Sequence, residues 1–206
     1  MIQHGPLLER LLRGEFICQV SDEDAFRHLS DLKTHEDIDH YLRPLNRRLV
    51  ASTDGSVFFL GYVELNGAAR EQLTRQFNET IQALLPLLEW MQLVQEAMGQ
   101  DRALSAGDTL KLQEFVLRCE DNQSLRQRLN QLAADRFFNS HSEALDNQIK
   151  LIFRRLKEHG YLLQPHTERQ YYIVTGKIDY LIELIQFIRS EEHLPIESEP
   201  TQEGLL

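Results

Sequence analysis

Residues 142–174 read SEALDNQIKLIFRRLKEHGYLLQPHTERQYYIV, an amphipathic helix pattern followed by two strand-like runs. At about 100° per residue, the apolar residues of the first part share one narrow sector of a helix. They are Leu145, Ile149, Ile152, Phe153 and Leu156. Ser142 as N-cap and Gly160 as stop signal predict a helix over 142–159. The runs 161–164 and 170–174 flank a turn with Pro165, so the helix is predicted to lead into a β-hairpin.

In the first 65 residues, too, helices lead into a predicted β-hairpin. A short helix ending at Gly14 precedes a strand candidate at 16–20, and Ser21 and Thr34 are predicted to cap two further helices. Asp54-Gly55 then separates two β-prone runs, which is a strong hairpin signal. Helix, strand, helix, helix and hairpin is the order of a winged-helix domain.

The predicted fold is therefore mainly α with small β-wings, an α+β class. It consists of tandem winged-helix domains at 1–65 and 104–190, joined by a helical middle segment at 66–103. In the second domain, Asp108 is predicted to cap a helix, and a helix over 177–189 closes the domain.

The middle segment carries apolar residues at alternating spacings of four and three. They are Phe77, Ile81, Leu84, Leu88 and Met91. A helix that is apolar nearly all round must be buried on several sides. These five residues therefore belong either to the hydrophobic core of the chain itself or to a homodimer contact. We keep the dimer contact as a hypothesis. Pro86 predicts a kink or two successive helices.

The chain has 206 residues and a formal net charge of −10. Phosphates repel such a protein as a whole, so any DNA contact needs a local basic patch. The acidic tail, residues 191–206, contains five Glu and neither Lys nor Arg, and is predicted to be disordered. Cys18 and Cys119 are predicted to be buried thiols, which fits a reducing cytoplasm. Neither a transmembrane run nor a secretory signal is recognisable.

Sequence patterns of catalysis are weak. Gly176-Lys177 lacks the upstream glycine of a phosphate loop, and no Gly-x-Ser-x-Gly elbow occurs. His35, Glu36, Asp39 and His40 could form two pairs of metal ligands four residues apart, but such pairs on a polar face are usually solvated. We predict a protein that is not an enzyme and that has no cofactor or metal site.

A basic face lies opposite the apolar sector of the helix at 142–159. Lys150, Arg154 and Lys157 form it, with Arg155 on its flank. Such a face suits a DNA backbone, although basic residues near a helix C-terminus also complement the helix dipole. Arg136 and Arg169 could extend the patch. The matching helix of the first domain presents Glu36, Asp37 and Asp39 instead, so that domain is interpreted as protein-binding.

Several stretches carry a family resemblance. They are LRGEFIC at 12–18, SVFFL at 56–60, the helix with its stop signal at 147–160, and HLPIE at 193–197. Together with the element order, they make the chain similar to the MukE and MksE family, the winged-helix subunits of bacterial SMC-like condensins. The smaller MksE type fits better.

This resemblance implies a non-catalytic homodimer that binds the kleisin of an SMC complex, whose SMC subunit is the ATPase. It implies sequence-independent DNA contact in the cytoplasm, at the nucleoid, for chromosome organisation or plasmid defence. The family's DNA contacts carry over to Lys150, Arg154, Arg155 and Lys157. The alternative is a stand-alone winged-helix transcription regulator, against which the acidic helix of the first domain argues.

Overall fold

The computed structural model describes residues 4–191 and is mainly helical with two small antiparallel sheets, which confirms the α+β class. The helices are α1 Gly5–Leu12, α2 Glu23–Ser30, α3 Leu32–Leu42, α4 Gly67–Met98, α5 Leu112–Asp121, α6 Gln123–Ala134, α7 Leu145–Glu158 and α8 Gly176–Glu191. The strands are β1 Ile17–Cys18, β2 Arg47–Ala51, β3 Val57–Tyr62, β4 Thr109–Lys111, β5 Leu162–Leu163 and β6 Tyr171–Val174. The predicted disorder of the acidic tail falls outside the described residues, apart from Glu191, which ends α8.

The two sheets have the same strand order. The first is β1-β3-β2 and the second is β4-β6-β5, with antiparallel pairing throughout. The hairpin predicted at Asp54-Gly55 joins β2 to β3, and Gly55 has the positive φ of 72° that this turn needs.

The predicted helix cap at Asp108 is wrong, because β4 follows instead. The Asp108 carboxylate pairs with Arg102 and accepts the Ser105 N–H at 3.0 Å, which holds the turn that leads into β4.

Three predicted helix starts are wrong by one to three residues. The observed N-cap residues are Asp22, Asp31 and Ala144 in place of Ser21, Thr34 and Ser142. Each aspartate accepts a backbone N–H at 2.9 Å, from Ala25 and Thr34 respectively. A carboxylate is a stronger acceptor than a hydroxyl, so the aspartates take the cap position. The Ser21 hydroxyl instead donates to the Cys18 carbonyl at 3.1 Å.

Two hydrophobic cores are present among the described residues. The smaller one packs α1, α2 and α3 against the first sheet, around Leu11, Leu29 and Ile38. The larger one packs the C-terminal half of α4 with α5, α6, α7 and the second sheet, around Trp90 and Phe153. The cysteine prediction is confirmed, since Cys18 and Cys119 are both buried free thiols. Burial raises the pKa of the Cys119 thiol to about 11.

The middle segment is one continuous helix, so the alternative of two successive helices is wrong. Pro86 lies inside α4 and is buried. The first half of α4 behaves differently from the second. Between residues 70 and 79 every side chain is exposed, whereas Leu87, Trp90 and Leu93 are completely buried. Residues 70–79 of α4 thus belong to neither core.

The start of α8 packs against the first sheet, and we call this contact the α8 interface. Gly176 donates its N–H to the Cys18 sulfur at 3.3 Å, and the Tyr180 ring packs on the Phe16 and Phe59 rings at 5.0 and 4.8 Å between centroids. Further along α8, the Glu183 carboxylate accepts the Thr53 N–H at 3.2 Å. This interface connects the two sheets. Within the described part of the chain, no helix has the length and apolarity needed to cross a membrane.

Candidate functional site

A groove of about 640 Å³ lies between α7, the segment that precedes it and the second sheet; we call it the α7 groove. It is lined by Asn139, Ser140, His141, Ser142, Asn147, Lys150, Leu151, Arg154, Lys157, Gln164 and Tyr172. Three of these residues are cationic, and no carboxylate occurs among the described residues that line it. In a chain with a net charge of −10, this composition makes the groove a local attractor for anions.

The orientation of α7 follows from its apolar sector. Ile149, Ile152, Phe153 and Leu156 are completely buried in the larger core. With that face fixed, Lys150, Arg154 and Lys157 project together into the groove, since residues four and seven apart share a helix face. Leu151, outside the apolar sector, is half-buried and also lines the groove.

The structure separates Arg155 from the other three predicted DNA-binding residues. Arg155 does not line the groove, and its guanidinium lies 3.1 Å from the Glu158 carboxylate. Arg136 and Arg169, which could have extended the patch, are also outside the described lining. The groove therefore brings together Lys150, Arg154 and Lys157, three of the four residues carried over from the family.

The groove cations make only exposed ion pairs on their own helix. Lys150 Nζ lies 2.6 Å from Asp146 Oδ2, and Arg154 Nε lies 3.7 Å from Glu158 Oε1. Lys157 Nζ donates to the Gln164 side-chain oxygen at 3.1 Å. Exposed pairs of this kind contribute between about 0 and 1 kcal/mol, so an incoming anion can exchange with them at little cost.

The segment 139–142 forms the opposite side of the groove and was missed by the sequence reasoning. Phe138 is completely buried, and the Ser140 N–H donates to the Ala133 carbonyl at 2.7 Å, which fixes the segment on the end of α6. Asn139 has a φ of 51°, a left-handed conformation that asparagine tolerates. The run Asn-Ser-His-Ser between two apolar helices was the available signal, because small polar residues there can donate to an anion.

The predicted dimer contact divides into an exposed part and a buried part. Phe77 and Ile81 are 44% and 45% exposed, while Met91 is 7% exposed and belongs to the larger core of its own chain. Leu84 and Leu88 are half-buried. Leu73 and Leu85 extend the exposed part along α4 at spacings of four residues. We call Leu73, Phe77, Ile81 and Leu85 the α4 stripe.

The acidic face of α3 is smaller than the sequence suggests. Glu36 and Asp37 are exposed, but the Asp39 carboxylate accepts the Leu49 N–H at 3.0 Å and pairs with Arg43 at 2.8 Å. Asp39 therefore holds the edge of β2 and does not face solvent with the others. Over residues 4–191, no group of three or more His, Cys, Asp or Glu side chains could hold a metal ion.

The fold, the two cores and the groove can be compared with known protein families. The family model of the condensin complex protein MksE matches residues 3–185. None of the curated proteins matches the chain. Since the family match covers most of the chain, the protein belongs to the MksE family, as the sequence resemblance indicated. It is thus a subunit of a condensin complex, and its partners include the other subunits of that complex.

Proposed function

We propose that this protein is the non-catalytic adaptor subunit of its condensin. In this role it dimerises, binds the kleisin, and holds DNA near the SMC ATPase without reading its sequence. It acts in the cytoplasm at the nucleoid, in chromosome organisation or plasmid defence. Family membership supports the assembly, and the α7 groove supports the DNA contact.

Both sheet-containing units are proposed to be winged-helix domains. The support is the strand order that the two sheets share. In each sheet the first strand, β1 or β4, pairs with the last strand of the hairpin, which is β3 or β6. The other strand of each hairpin, β2 or β5, lies at the far edge of the sheet. In the first unit α2 and α3 lie between β1 and the hairpin, as in a winged helix. The second unit has an additional helix between its first strand and its hairpin, since α5, α6 and α7 all lie there.

The observation that carries the DNA proposal is a cationic groove, in an acidic protein, whose lining over residues 4–191 includes no carboxylate. Lys150, Arg154 and Lys157 offer charge to phosphates, and the neighbouring amides and hydroxyls offer neutral hydrogen bonds. Phosphate contacts of this kind position DNA and carry no sequence information directly. Sequence-independent binding is therefore the mode that the groove favours.

The test compares two triple variants that remove the same charge. In the groove variant Lys150, Arg154 and Lys157 become Gln, and in the control variant Arg136, Arg155 and Arg169 become Gln. Binding to a labelled duplex of random sequence is followed by fluorescence anisotropy over a range of salt concentrations. Each lost phosphate contact should flatten the plot of log K against log salt by about 0.9, so the groove variant should lose about 2.7 in slope. Equal losses in both variants would refute the groove assignment.

Dimerisation is proposed to use the α4 stripe. Every side chain of α4 between residues 70 and 79 is exposed, and an isolated helix of about this length is only marginally stable in water. A second copy that covers the stripe removes its apolar side chains from water. Met91 takes no part in this surface, because its own chain already buries it.

A charge placed in the stripe tests this surface. Changing Phe77 and Ile81 to Glu should convert the dimer to a monomer, as read by light scattering coupled to size-exclusion chromatography. The control changes Leu117 and Phe187 to Glu, two apolar residues of similar or greater exposure on other helices. A wild-type protein that is monomeric at every concentration tested would remove the dimer proposal, and so would a stripe variant that remains dimeric.

A further inference from the structure

The two units of the chain share few polar contacts. The first unit, residues 4–66, holds the smaller core, and the second unit, residues 83–191, holds the larger core. Over residues 4–191, hydrogen bonds join the two units at two places, from Gly176 to Cys18 and from Thr53 to Glu183. Both places lie in the α8 interface, which therefore joins two separately packed units.

The apolar part of the α8 interface belongs to neither core. Cys18 and Val57 are 3% and 0% exposed, yet both lie outside the smaller core of their own unit. The backbone of α8 covers them, with Gly176 lying directly on both side chains. Tyr180 adds a contact with two aromatic rings of the first unit. If α8 moves off the first sheet, Cys18 becomes accessible while each core stays packed.

Lys177 places a cation inside this interface. Its Nζ donates to the His159 carbonyl at 2.8 Å, and it lies 4.9 and 4.8 Å from the centroids of the Phe16 and Tyr161 rings. Phe16 belongs to the first unit, whereas His159 and Tyr161 belong to the second. Within the described part of the chain, no carboxylate pairs with Lys177. The ammonium is thus enclosed between the units without a counter-ion.

The titratable groups near Lys177 do not offset its charge. Asp179 on the same helix accepts a hydrogen bond from the Ser105 hydroxyl at 2.9 Å, and Glu183 is bound to the β2–β3 hairpin. On the α7 side, burial and the Lys177 charge both lower the pKa of His159. Burial raises the pKa of both tyrosines of the interface, so they are neutral at pH 7.

Desolvation of this ammonium opposes the apolar contacts around it. Taking an ammonium out of water costs more than one carbonyl and two ring faces return. Burial accordingly lowers the pKa of Lys177 from 10.5 to about 8. When α8 moves away from the first sheet, the ammonium regains water, so its charge favours the open arrangement.

We propose that the α8 interface is a joint that opens and closes in the native protein, and that the protonated Lys177 side chain favours its opening. Opening lets the two units change their relative orientation while both cores stay packed. In a subunit of a multi-subunit complex, such a joint allows each unit to follow its own partner. Removal of the Lys177 charge closes the joint.

Thiol labelling of the folded full-length protein tests the joint, because one cysteine lies in the interface and the other in the larger core. The protein is treated with iodoacetamide at pH 7, and labelling of each cysteine is followed by mass spectrometry. Cys119 is 0% exposed and reports unfolding of the larger core. Opening of the joint predicts that Cys18 is labelled at least about tenfold faster than Cys119.

Urea distinguishes opening of the joint from unfolding of the first unit. Opening exposes little surface, so the rate of Cys18 labelling should depend weakly on urea, whereas labelling of Cys119 should depend steeply on it. Equal rates for the two cysteines, or an equally steep dependence on urea, would mean that Cys18 is reached only by unfolding. Either result overturns the joint.

The role of the cation is tested by Lys177→Met, which removes the charge and keeps an apolar side chain. Each unit by which burial lowers the pKa corresponds to a tenfold change in the equilibrium, so labelling of Cys18 at pH 7 should slow by at least about tenfold. The control Lys111→Met removes an exposed charge of the second unit and should change the rate less than about twofold. A Lys177→Met protein whose Cys18 is labelled as fast as in the unmodified sequence, or faster, overturns the role of the cation.

Discussion

The α8 interface makes a sharp prediction at Gly176. A Cβ added there would lie 2.7 Å from Val57 Cγ2 and 2.9 Å from Cys18 Cβ. Carbon atoms not bonded to each other approach to about 3.5 Å at best. Val57 is 0% and Cys18 is 3% exposed, so neither can move into solvent to make room. Gly176→Ala must therefore push α8 away from the first sheet.

The expected cost follows from two opposing effects. Overpacking of this kind costs about 1–3 kcal/mol, while replacing Gly by Ala restricts the unfolded chain and returns about 0.4–1 kcal/mol. The net loss in free energy of unfolding should be about 1.3 kcal/mol at the midpoints of these ranges and at most about 2.6 kcal/mol, or a decrease in Tm of up to about 10 °C for a chain of this size. Urea and thermal unfolding followed by circular dichroism measure both quantities.

Gly67 supplies the matched control. It is also the first residue of a helix, α4, and nothing lies within 4 Å of a Cβ added there. Gly67→Ala should be neutral or stabilise by up to about 1 kcal/mol. A second control removes the closest contact atom, since Val57→Ala deletes Cγ2.

The double variant Gly176→Ala with Val57→Ala should then be more stable than the sum of the two single effects by at least about 0.5 kcal/mol. Additive effects, or a Gly176→Ala protein as stable as the Gly67→Ala protein, would refute close packing at this interface.

Two further predictions concern titratable groups. Burial lowers the pKa of Lys177 from 10.5 to about 8, so between these values the unfolded chain binds more protons and stability should rise with pH. Urea unfolding between about pH 8 and 9, before the tyrosines and most of the cysteine thiols of the unfolded chain ionise, should show this rise, and Lys177→Met should abolish it. Asp22 has a pKa lowered by the Ala25 N–H and by Arg10, so the stability it adds is present above its unfolded pKa and lost as pH falls through the folded value. Asp22→Ala should cost about 1 kcal/mol at neutral pH, whereas Asp22→Asn should keep most of the cap; equal losses in thermal unfolding would contradict the cap assignment.

Local signals predicted those elements whose limits depend on neighbouring residues. The helical middle segment predicted at 66–103 contains α4, whose ends are local features: Asn66 accepts the Ala69 N–H at its start and Gly99 adopts a positive φ at its end. The β2–β3 turn at Asp54-Gly55 is equally local. The basic face of α7 could also be predicted, because helical periodicity decides which side chains share a face.

Features that depend on distant residues were missed. Strand β4 has three residues and is stabilised by pairing with β6, about 60 positions further along the chain. Nothing within three residues can indicate such a partner. Asp39 has the sequence context of a solvated carboxylate, yet it caps the Leu49 N–H at the edge of β2. The single spacing pattern of α4 likewise could not show that Met91 joins the core while Phe77 is exposed.

The sequence by itself determined the α7 helix with its apolar and basic faces, the net negative charge of the whole chain, and the family to which the protein belongs. Only the tertiary structure decided which cations share a groove. Packing of the apolar face against Trp90 and Phe115 sets the rotation of α7. The segment 139–142 and the second sheet then enclose Lys150, Arg154 and Lys157, and leave Arg155 outside. The physical reason is that periodicity assigns residues to faces, whereas a groove requires elements distant in the chain to meet.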